Sequence, residues 1–290
     1  MSEVDVGDEL LRDVIERLRS RDALDDTSVA DVTIGDAAVL VELTPSQDAG
    51  AEESIRPPDP AGLAYRPDGD PPDDEYRNRD PRGLLAPIED ASPASSLDRA
   101  VAVATLNAVS APFVGWRDGD PMALLDADVE RVATVGLFRP AFRKFADVEV
   151  RVIERVPVDP FETSADVDVT LFPATEAAAA MAGCAVVFVT GSTLIYGGME
   201  TYLKAAPEDA IVVVIGATAS MLPDPLFDAG IDVVAGVEVT EPERVRRAVA
   251  RGVCGTDLHD EGVRKGYVAP RRPSGIRINP SGRDPTDPTI

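Results

Sequence analysis

The chain has 290 residues, long enough for one large domain or two smaller ones with a substantial core. It carries 52 acidic and 28 basic residues, a formal net charge of -24, and only three of the basic residues are lysines. This excess of carboxylate argues against nucleic acid as a partner, because a phosphate backbone requires a basic surface.

The first 120 residues predict a small α+β domain. An amphipathic helix opens the chain, with leucines and β-branched residues at helical spacing over residues 10–18. Alternating apolar residues on both sides of Gly35-Asp36 predict a β-hairpin, and "AGLAYRP" can add a third strand. A helix follows in "SSLDRAVAVATLNAVSAP", capped at its N-terminus by Ser95 or Ser96.

Residues 130–254 have a different sequence pattern, which predicts a Rossmann-like α/β domain. Continuous apolar runs rich in β-branched residues alternate there with helical segments: "VATVGLF", "VEVRVIE", "AVVFVTG", "AIVVVIG" and "DVVAGVEV". Strands that are buried on both faces and separated by helices indicate a parallel sheet with helices on each side. By contrast, residues 45–83 predict an acidic, Pro-rich excursion and residues 256–290 predict an extended tail.

Small and polar residues follow three of the predicted strands, at the edge where a parallel open sheet binds ligands. They are Gly136, Gly191-Ser192-Thr193, and Gly216 with Thr218. A helix that begins at such a turn presents free N–H groups to the crevice, which favours an anion. Ser192 and Thr193 can instead act as helix N-caps with no ligand.

No phosphate-binding fingerprint accompanies these turns, since neither GxGxxG nor GxxxxGKS/T occurs. We also recognise no Asp or Glu at a strand end at the distance from a Gly-rich turn that ribose recognition requires. Both observations weaken the hypothesis of a nucleotide- or cofactor-dependent transferase that uses the same crevice, and we keep it as the alternative. A third hypothesis is a non-catalytic protein that acts by associating with other protein chains, for which a homodimer is the commonest arrangement.

The side-chain inventory limits the kind of metal site the chain can build. Soft transition metals prefer thiolate and imidazole ligands, and the chain has two cysteines, Cys184 and Cys254, and one histidine, His259. Cys254 and His259 can supply two ligands at most, while Cys184 opens a predicted strand as a buried apolar residue. Any metal ion is therefore expected to rely largely on carboxylate and carbonyl oxygens.

Several features predict a soluble, cytoplasmic protein. The N-terminus "MSEVDVGDELL" has no basic segment followed by an apolar run, and no apolar run reaches the ~18 residues of a membrane helix. Two cysteines without CxxC spacing suit a reducing compartment. The acidic, lysine-poor composition is similar to that of proteins from salt-loving archaea, where concentrated salt screens the mutual repulsion of carboxylates.

The order of motifs from residue 8 to residue 252 resembles that of the putative heavy-metal chelation family, a domain of unknown function. The motifs are "DVTIG", "GLAYRP", "AVAVATLNA", "VGLF", "VPVDP", "VFVTGSTLIYGGME", "VVVIGATASMLPDPLFDAGIDVVAG" and "EPERVRRAV". The resemblance implies an enolase N-terminal-like domain joined to a Rossmann-like domain, with a ligand-binding cleft between the two. That architecture agrees with the elements predicted above.

The resemblance also implies a set of cleft residues. The family pattern is close to TGSxLxNGT after one strand and GPS or GPT after the next, and this chain departs from it at Tyr196, Gly198 and Ala217. Taken together with the strand-end residues above, the candidate ligand-binding residues are Asn107, Gly136, Gly191, Ser192, Thr193, Tyr196, Gly197, Gly216 and Thr218. Asn107 can alternatively bond to backbone, and Tyr196 can alternatively serve packing. We therefore expect a small polar molecule, an anion or a metal complex in an interdomain cleft, with heavy-metal chelation as the activity that the resemblance implies.

Overall fold

Two β-sheets organise the chain, one antiparallel and one mostly parallel. The computed structural model describes residues 6–25, 27–45, 59–69, 76, 80–90, 94–159, 161, 167–253 and 255–280. Much of the predicted excursion over 45–83 lies outside these ranges, as do Cys254 and residues 281–290.

The elements have the following bounds. The described helices are α1 (Val6–Arg19), α2 (Pro81–Glu89), α3 (Ser96–Ser110), α4 (Arg139–Phe142), α5 (Ala177–Met181), α6 (Thr193–Tyr196), α7 (Met199–Ala205), α8 (Asp224–Asp228) and α9 (Pro242–Ala250). The described strands are β1 (Thr27–Ile34), β2 (Ala38–Pro45), β3 (Ala61–Tyr65), β4 (Arg117–Asp118), β5 (Arg131–Val135), β6 (Val148–Glu154), β7 (Val167–Pro173), β8 (Val186–Thr190), β9 (Ile211–Ile215), β10 (Val233–Val239) and β11 (Val263–Val268). Within the described ranges, no helix is long and apolar enough to cross a membrane.

The N-terminal strands form an antiparallel sheet in the order β1-β2-β3, with α3 packed on β2 and β3. The third strand and the opening helix are confirmed as predicted. Ser95 caps α3: its hydroxyl oxygen accepts a hydrogen bond from the Asp98 backbone at 3.0 Å, and the Asp98 carboxylate accepts one from the Ser95 backbone at 3.1 Å. This reciprocal pair satisfies donors that the first turn leaves free.

The larger sheet has the strand order β4-β11-β10-β9-β8-β5-β6-β7. The six strands from β10 to β7 are parallel, and along the chain they follow the doubly wound order 3-2-1-4-5-6 with β5 as the first strand. The order reverses between β5 and β8, so the turns after these two strands meet at one edge. The predicted α/β architecture is confirmed.

Alternating side chains of the parallel strands enter two different cores. One core joins a face of the large sheet to the N-terminal helices and to α5, α7 and α8. The other packs Phe142, Phe145, Ile276 and Ile278 onto the opposite face. The N-terminal layer therefore shares its largest core with the large sheet.

The structure corrects the extended tail predicted from residue 256. Gly255–Glu261 form a 3₁₀ segment, and β11 pairs antiparallel with β10, from Val263 opposite Val239 to Val268 opposite Val234. Ile276 and Ile278, further along, are buried. The adjacent polar residues in "VRKGYV" differ from the continuous apolar runs of the central parallel strands, because β11 lies near the margin of the sheet.

Two further differences concern secondary structure in the predicted α/β region. The helix expected over Thr193–Ala205 is interrupted at Gly197 and Gly198, whose φ angles of +81° and +90° lie outside the helical range. Strand β7 was not predicted, because it lies at the edge of the sheet and its side chains after Val167 are exposed or half-buried, so it lacks a continuous apolar run.

Candidate functional site

A cavity of about 660 Å³ opens at the carboxyl edge of the parallel strands. Val135, Thr190 and Ile215, at the ends of β5, β8 and β9, line its floor. Residues 63–65 of β3 line it from the N-terminal sheet. The cavity therefore lies at the strand-order reversal, where doubly wound sheets bind ligands, and both sheets contribute to its wall.

Most of the cavity wall is apolar. The larger apolar side chains are Leu63, Met122, Leu137, Phe138, Ile153, Val156, Ile215, Val237, Leu258 and Val263. A few polar and charged groups interrupt this surface, which is the usual composition of a small-molecule site. Most of the charged groups belong to two clusters.

The first group, here called the lysine cluster, consists of Asp120, Lys144 and Lys265. One carboxylate oxygen of Asp120 accepts hydrogen bonds from Lys144 at 2.5 Å and from Lys265 at 3.0 Å. The other oxygen accepts from the Met122 backbone at 3.1 Å. Two of the three lysines of the chain thus meet in this cavity, and two positive charges share one negative charge.

The charges of the lysine cluster control the titration of its carboxylate. Burial of Asp120 acts to raise its pKa, but the hydrogen bonds and charges of Lys144 and Lys265 outweigh burial. The pKa of Asp120 is therefore lowered from its ordinary value. Asp120 is a carboxylate at neutral pH, and the cluster carries a net positive charge.

His259, the one histidine of the chain, also lines the cavity. Its Nδ1 lies 2.9 Å from the carbonyl oxygen of Val263. A carbonyl only accepts, so Nδ1 carries the hydrogen in this contact. The neutral ring then presents the lone pair of Nε2, and the protonated ring presents a second N–H donor.

The second group, here called the tyrosine cluster, consists of Tyr65, Tyr196 and Arg155. The two tyrosine rings lie 5.9 Å apart between centroids, and the Arg155 guanidinium stands 4.0 Å from the centroid of the Tyr196 ring. Burial and the hydrogen bond with Tyr65 raise the pKa of Tyr196 to about 12. Tyr196 is therefore a neutral phenol at physiological pH.

A set of backbone and side-chain contacts, here called the seam, joins β3 to the 3₁₀ turn Ala217–Ala219. The buried amide nitrogen of Asn107 donates to the carbonyl oxygens of Leu63 at 2.7 Å, Ala217 at 3.1 Å and Thr218 at 3.2 Å. The Tyr65 backbone N–H donates to the Thr218 hydroxyl at 2.9 Å. These bonds hold the two sheets at a fixed spacing.

Gly191 packs against the same turn. A Cβ atom at this position would lie 2.9 Å from the Ala219 nitrogen and 3.2 Å from the Thr218 Cβ. Only a glycine allows this approach without displacement of the turn. The residue thus acts in packing between the ends of β8 and β9.

The structure places the predicted site residues in two locations. Seven of them line the cavity: Gly136, Ser192, Thr193, Tyr196, Gly197, Gly216 and Thr218. Asn107 and Gly191 do not belong to its lining and instead lie behind it, in the contacts described above. The Thr193 hydroxyl donates to the Thr190 carbonyl at 2.8 Å, so it also stabilises the turn after β8.

Sequence reasoning missed the charged residues of the cavity. These are Asp120, Lys144, Glu154, Arg155, His259 and Lys265. The available signal was the rarity of lysine: the chain has three lysines, and two of them line the cavity. His259 was assigned to a loose segment, and the 3₁₀ segment and β11 that hold it near the cavity were not predicted.

The donor set of the cavity does not form a metal centre by itself. Among the residues that the structure describes, no three His, Cys, Asp or Glu side chains are grouped to hold a metal ion. Cys184 is buried, and burial raises the pKa of its thiol to about 11, which disfavours the thiolate that metals bind. The Asp120 carboxylate is already engaged by two lysines.

Two solved structures are similar to this chain in fold. A protein of unknown function from the DUF364 family of Pyrococcus horikoshii has 18% sequence identity and a TM-score of 0.68, over 90% of this chain and 99% of that one. A protein of unknown function from the same family of Desulfitobacterium hafniense DCB-2 has 14% identity and a TM-score of 0.62, over 88% of this chain and 99% of that one. No curated protein matches the sequence.

The family model described as putative heavy-metal chelation matches residues 120–268, just over half of the chain. This segment runs from Asp120 through β11 and includes both lysines of the lysine cluster. The two similar solved structures belong to the same family as this match. The chain therefore belongs to the DUF364 family, described as putative heavy-metal chelation.

Proposed function

We propose that the chain binds a small organic anion, free or as its complex with a metal ion, in the cavity between the two sheets. The observation that carries this proposal is the concentration of basic groups there. A chain with 52 acidic and 28 basic residues directs two of its three lysines, its one histidine and Arg155 to a single cavity. Cationic groups in a partly dry, apolar pocket favour an anion more strongly than the same groups in water.

The proposal reconciles the family description with the side chains present. The cavity lacks a grouped set of protein ligands for a bare ion among the described residues, but it has the charge to hold an anionic chelator. A metal ion would then arrive already coordinated by oxygen or nitrogen atoms of the small molecule. In this form, metal binding depends on the lysine cluster through the charge of the complex.

A nucleotide- or cofactor-dependent transferase is the second candidate function. One observation favours it: Glu154 ends β6 and lines the cavity, which places a carboxylate at the end of a parallel strand. A ribose-containing ligand would also be an organic anion if it carried phosphate, so the two candidates share the same charged groups.

The test is calorimetric titration with three probes: citrate, nickel(II) citrate and nickel(II) chloride. The wild-type chain is compared with Lys265→Met, which keeps the aliphatic stem and removes the charge. We expect citrate and its nickel complex to bind the wild type, and both to bind the variant about tenfold more weakly, since one charge-assisted hydrogen bond is lost. Nickel chloride alone should bind weakly and equally to both.

Lys204→Met is the matched control, because Lys204 is the third lysine and lies on α7, outside the cavity lining. It should bind all three probes as the wild type does. Tight binding of nickel chloride that is unaffected by Lys265→Met would contradict the proposal. So would failure of both citrate and its nickel complex to bind the wild type.

A further inference from the structure

Strand β6 is the second strand of the doubly wound order that begins with β5. In sheets of this order, a carboxylate about 20 residues after the first strand's glycine turn accepts hydrogen bonds from a ribose. Here the turn after β5 contains Gly136, and Glu154 ends β6 18 residues later. Gly136 and Glu154 both line the cavity. The topology thus places a carboxylate at the expected position without the usual glycine fingerprint.

The Glu154 side chain is available for a ligand. It is half-buried at the cavity wall, and no hydrogen bond or ion pair joins it to another residue in the part of the chain that the structure describes. The other carboxylate of the described cavity lining, Asp120, is engaged by two lysines. A carboxylate with open acceptor positions in an apolar cavity suits a ligand with paired hydroxyl donors.

The tyrosine cluster continues the wall beside Glu154. Arg155 follows Glu154 directly and stands over the Tyr196 ring, which in turn contacts Tyr65. Tyr65 keeps 44% of its surface exposed, a large value for an aromatic side chain at a cavity. Exposed tyrosine and arginine planes offer stacking surfaces for a nucleobase.

We propose that the anion bound by this cavity is a ribonucleotide. Glu154 accepts hydrogen bonds from the ribose hydroxyls, the tyrosine cluster stacks on the base, and the lysine cluster receives the phosphates. The phosphate part rests on the proposed function above, whereas the ribose part depends on Glu154 alone.

The test is calorimetric titration with ADP, 2′-deoxy-ADP and pyrophosphate. The wild-type chain should bind ADP about tenfold more tightly than 2′-deoxy-ADP, because the deoxy compound lacks one hydroxyl donor to the carboxylate. In Glu154→Ala that preference should disappear. Pyrophosphate binding should stay within about threefold of the wild type in Glu154→Ala and fall in the variant with both Lys144 and Lys265 changed to Met.

Glu130→Ala is the control, since Glu130 is exposed and precedes β5 at the opposite edge of the sheet. It should keep the preference for ADP. Equal affinities for ADP and 2′-deoxy-ADP in the wild type, or a preference that persists in Glu154→Ala, would overturn the ribonucleotide assignment and leave anion binding intact. A third outcome is that the preference for ADP depends on Glu154 but pyrophosphate binds the double lysine variant as tightly as the wild type. This result would support the ribose site and overturn the role of the lysine cluster.

Discussion

The seam and the lysine cluster are both built beside the cavity, yet they use polar groups in opposite ways. At the seam, Asn107 is 1% exposed and its amide nitrogen already bonds to three carbonyl oxygens. In the lysine cluster, the side chains of Asp120, Lys144 and Lys265 keep between 15% and 33% of their surface exposed, and two ammonium groups share one carboxylate. The amide donors of Asn107 are committed to the seam, whereas the ammonium groups of the lysine cluster line the cavity and can exchange partners. The side-chain oxygen of Asn107 is buried and has no hydrogen-bond partner in the described part of the chain, but Asn107 lies outside the cavity lining. A polar residue near a cavity therefore indicates binding only if its open hydrogen-bonding atoms line that cavity.

The largest expected effect is on stability, at the seam. Asn107→Ala removes the donor shared by three carbonyl oxygens, of which the Ala217 oxygen keeps a hydrogen bond from the Ser220 hydroxyl. We expect the free energy of unfolding to fall by about 3 kcal/mol. Urea denaturation, with salt held constant, measures this change. Anion affinity of the variant that remains folded should change little, because Asn107 is not part of the cavity lining.

Thr105→Val is the control on the same helix. The buried Thr105 hydroxyl donates to the Val101 carbonyl within α3, and its loss should cost less than about 1 kcal/mol. A similar loss of stability in both variants would mean that the seam contacts of Asn107 have no special weight. A selective loss of affinity in Asn107→Ala at unchanged stability would place Asn107 in the binding site after all.

The next effect is on affinity, in the lysine cluster. Changing Lys144 and Lys265 together to Met should weaken citrate binding roughly 100-fold, because two charge-assisted contacts are lost. Calorimetric titration measures it, and the midpoint of thermal unfolding reports on stability. If the double variant unfolds far more easily than Asn107→Ala while its affinity is unchanged, the two regions have the reverse of the roles assigned here.

A smaller effect of opposite sign is expected at Asp120. Asp120→Asn removes the carboxylate that competes with an anion for both lysines, so citrate affinity should rise by about threefold to tenfold. The same titration measures the change. Weaker binding in Asp120→Asn would mean that Asp120 serves the ligand by positioning the lysines rather than by competing with it.

The smallest effect is the pH dependence of stability at the same residue. The pKa of Asp120 is lowered in the folded chain, so its contribution to stability is present above the unfolded value of about 3.9 and is lost as pH falls through the lower folded value. The stability difference between wild type and Asp120→Asn should therefore be constant from about pH 8 to pH 5 and shrink only in more acidic solution. Urea denaturation across this range, in concentrated salt, measures it. A difference that already shrinks near pH 6 would contradict the lowered pKa.

The parts of the fold that were predictable are those where burial imposes one pattern. Strand β8 was predicted over its whole length, because a strand buried on both faces is apolar almost throughout. Strands β7 and β11 were missed because each is partly solvent-exposed, and short sequences of mixed polarity such as "VDVTLFP" and "VRKGYV" also occur in loops. The turn residues at the carboxyl ends of β5, β8 and β9 were predictable, since parallel strands bring their ends to one edge.

The roles of individual residues in the cavity were less predictable. Asn107 matches a family motif, but an amide suits a ligand and a backbone carbonyl equally well, and only the contacts distinguish them. Lys265 comes from a strand that returns antiparallel after the last helix, outside the repeating strand–helix pattern. Glu154 was overlooked because the glycine fingerprint that usually points to it is absent.

The antiparallel return of β11 has a consequence for biosynthesis. The ribosome makes the chain from its N-terminus, so β3, β5 and β8 emerge well before Lys265 and His259. A nascent chain that has already formed its parallel strands still lacks one wall and half of the lysines of its binding cavity. Under the proposed function, we therefore expect ligand capture to be postponed until translation has passed β11.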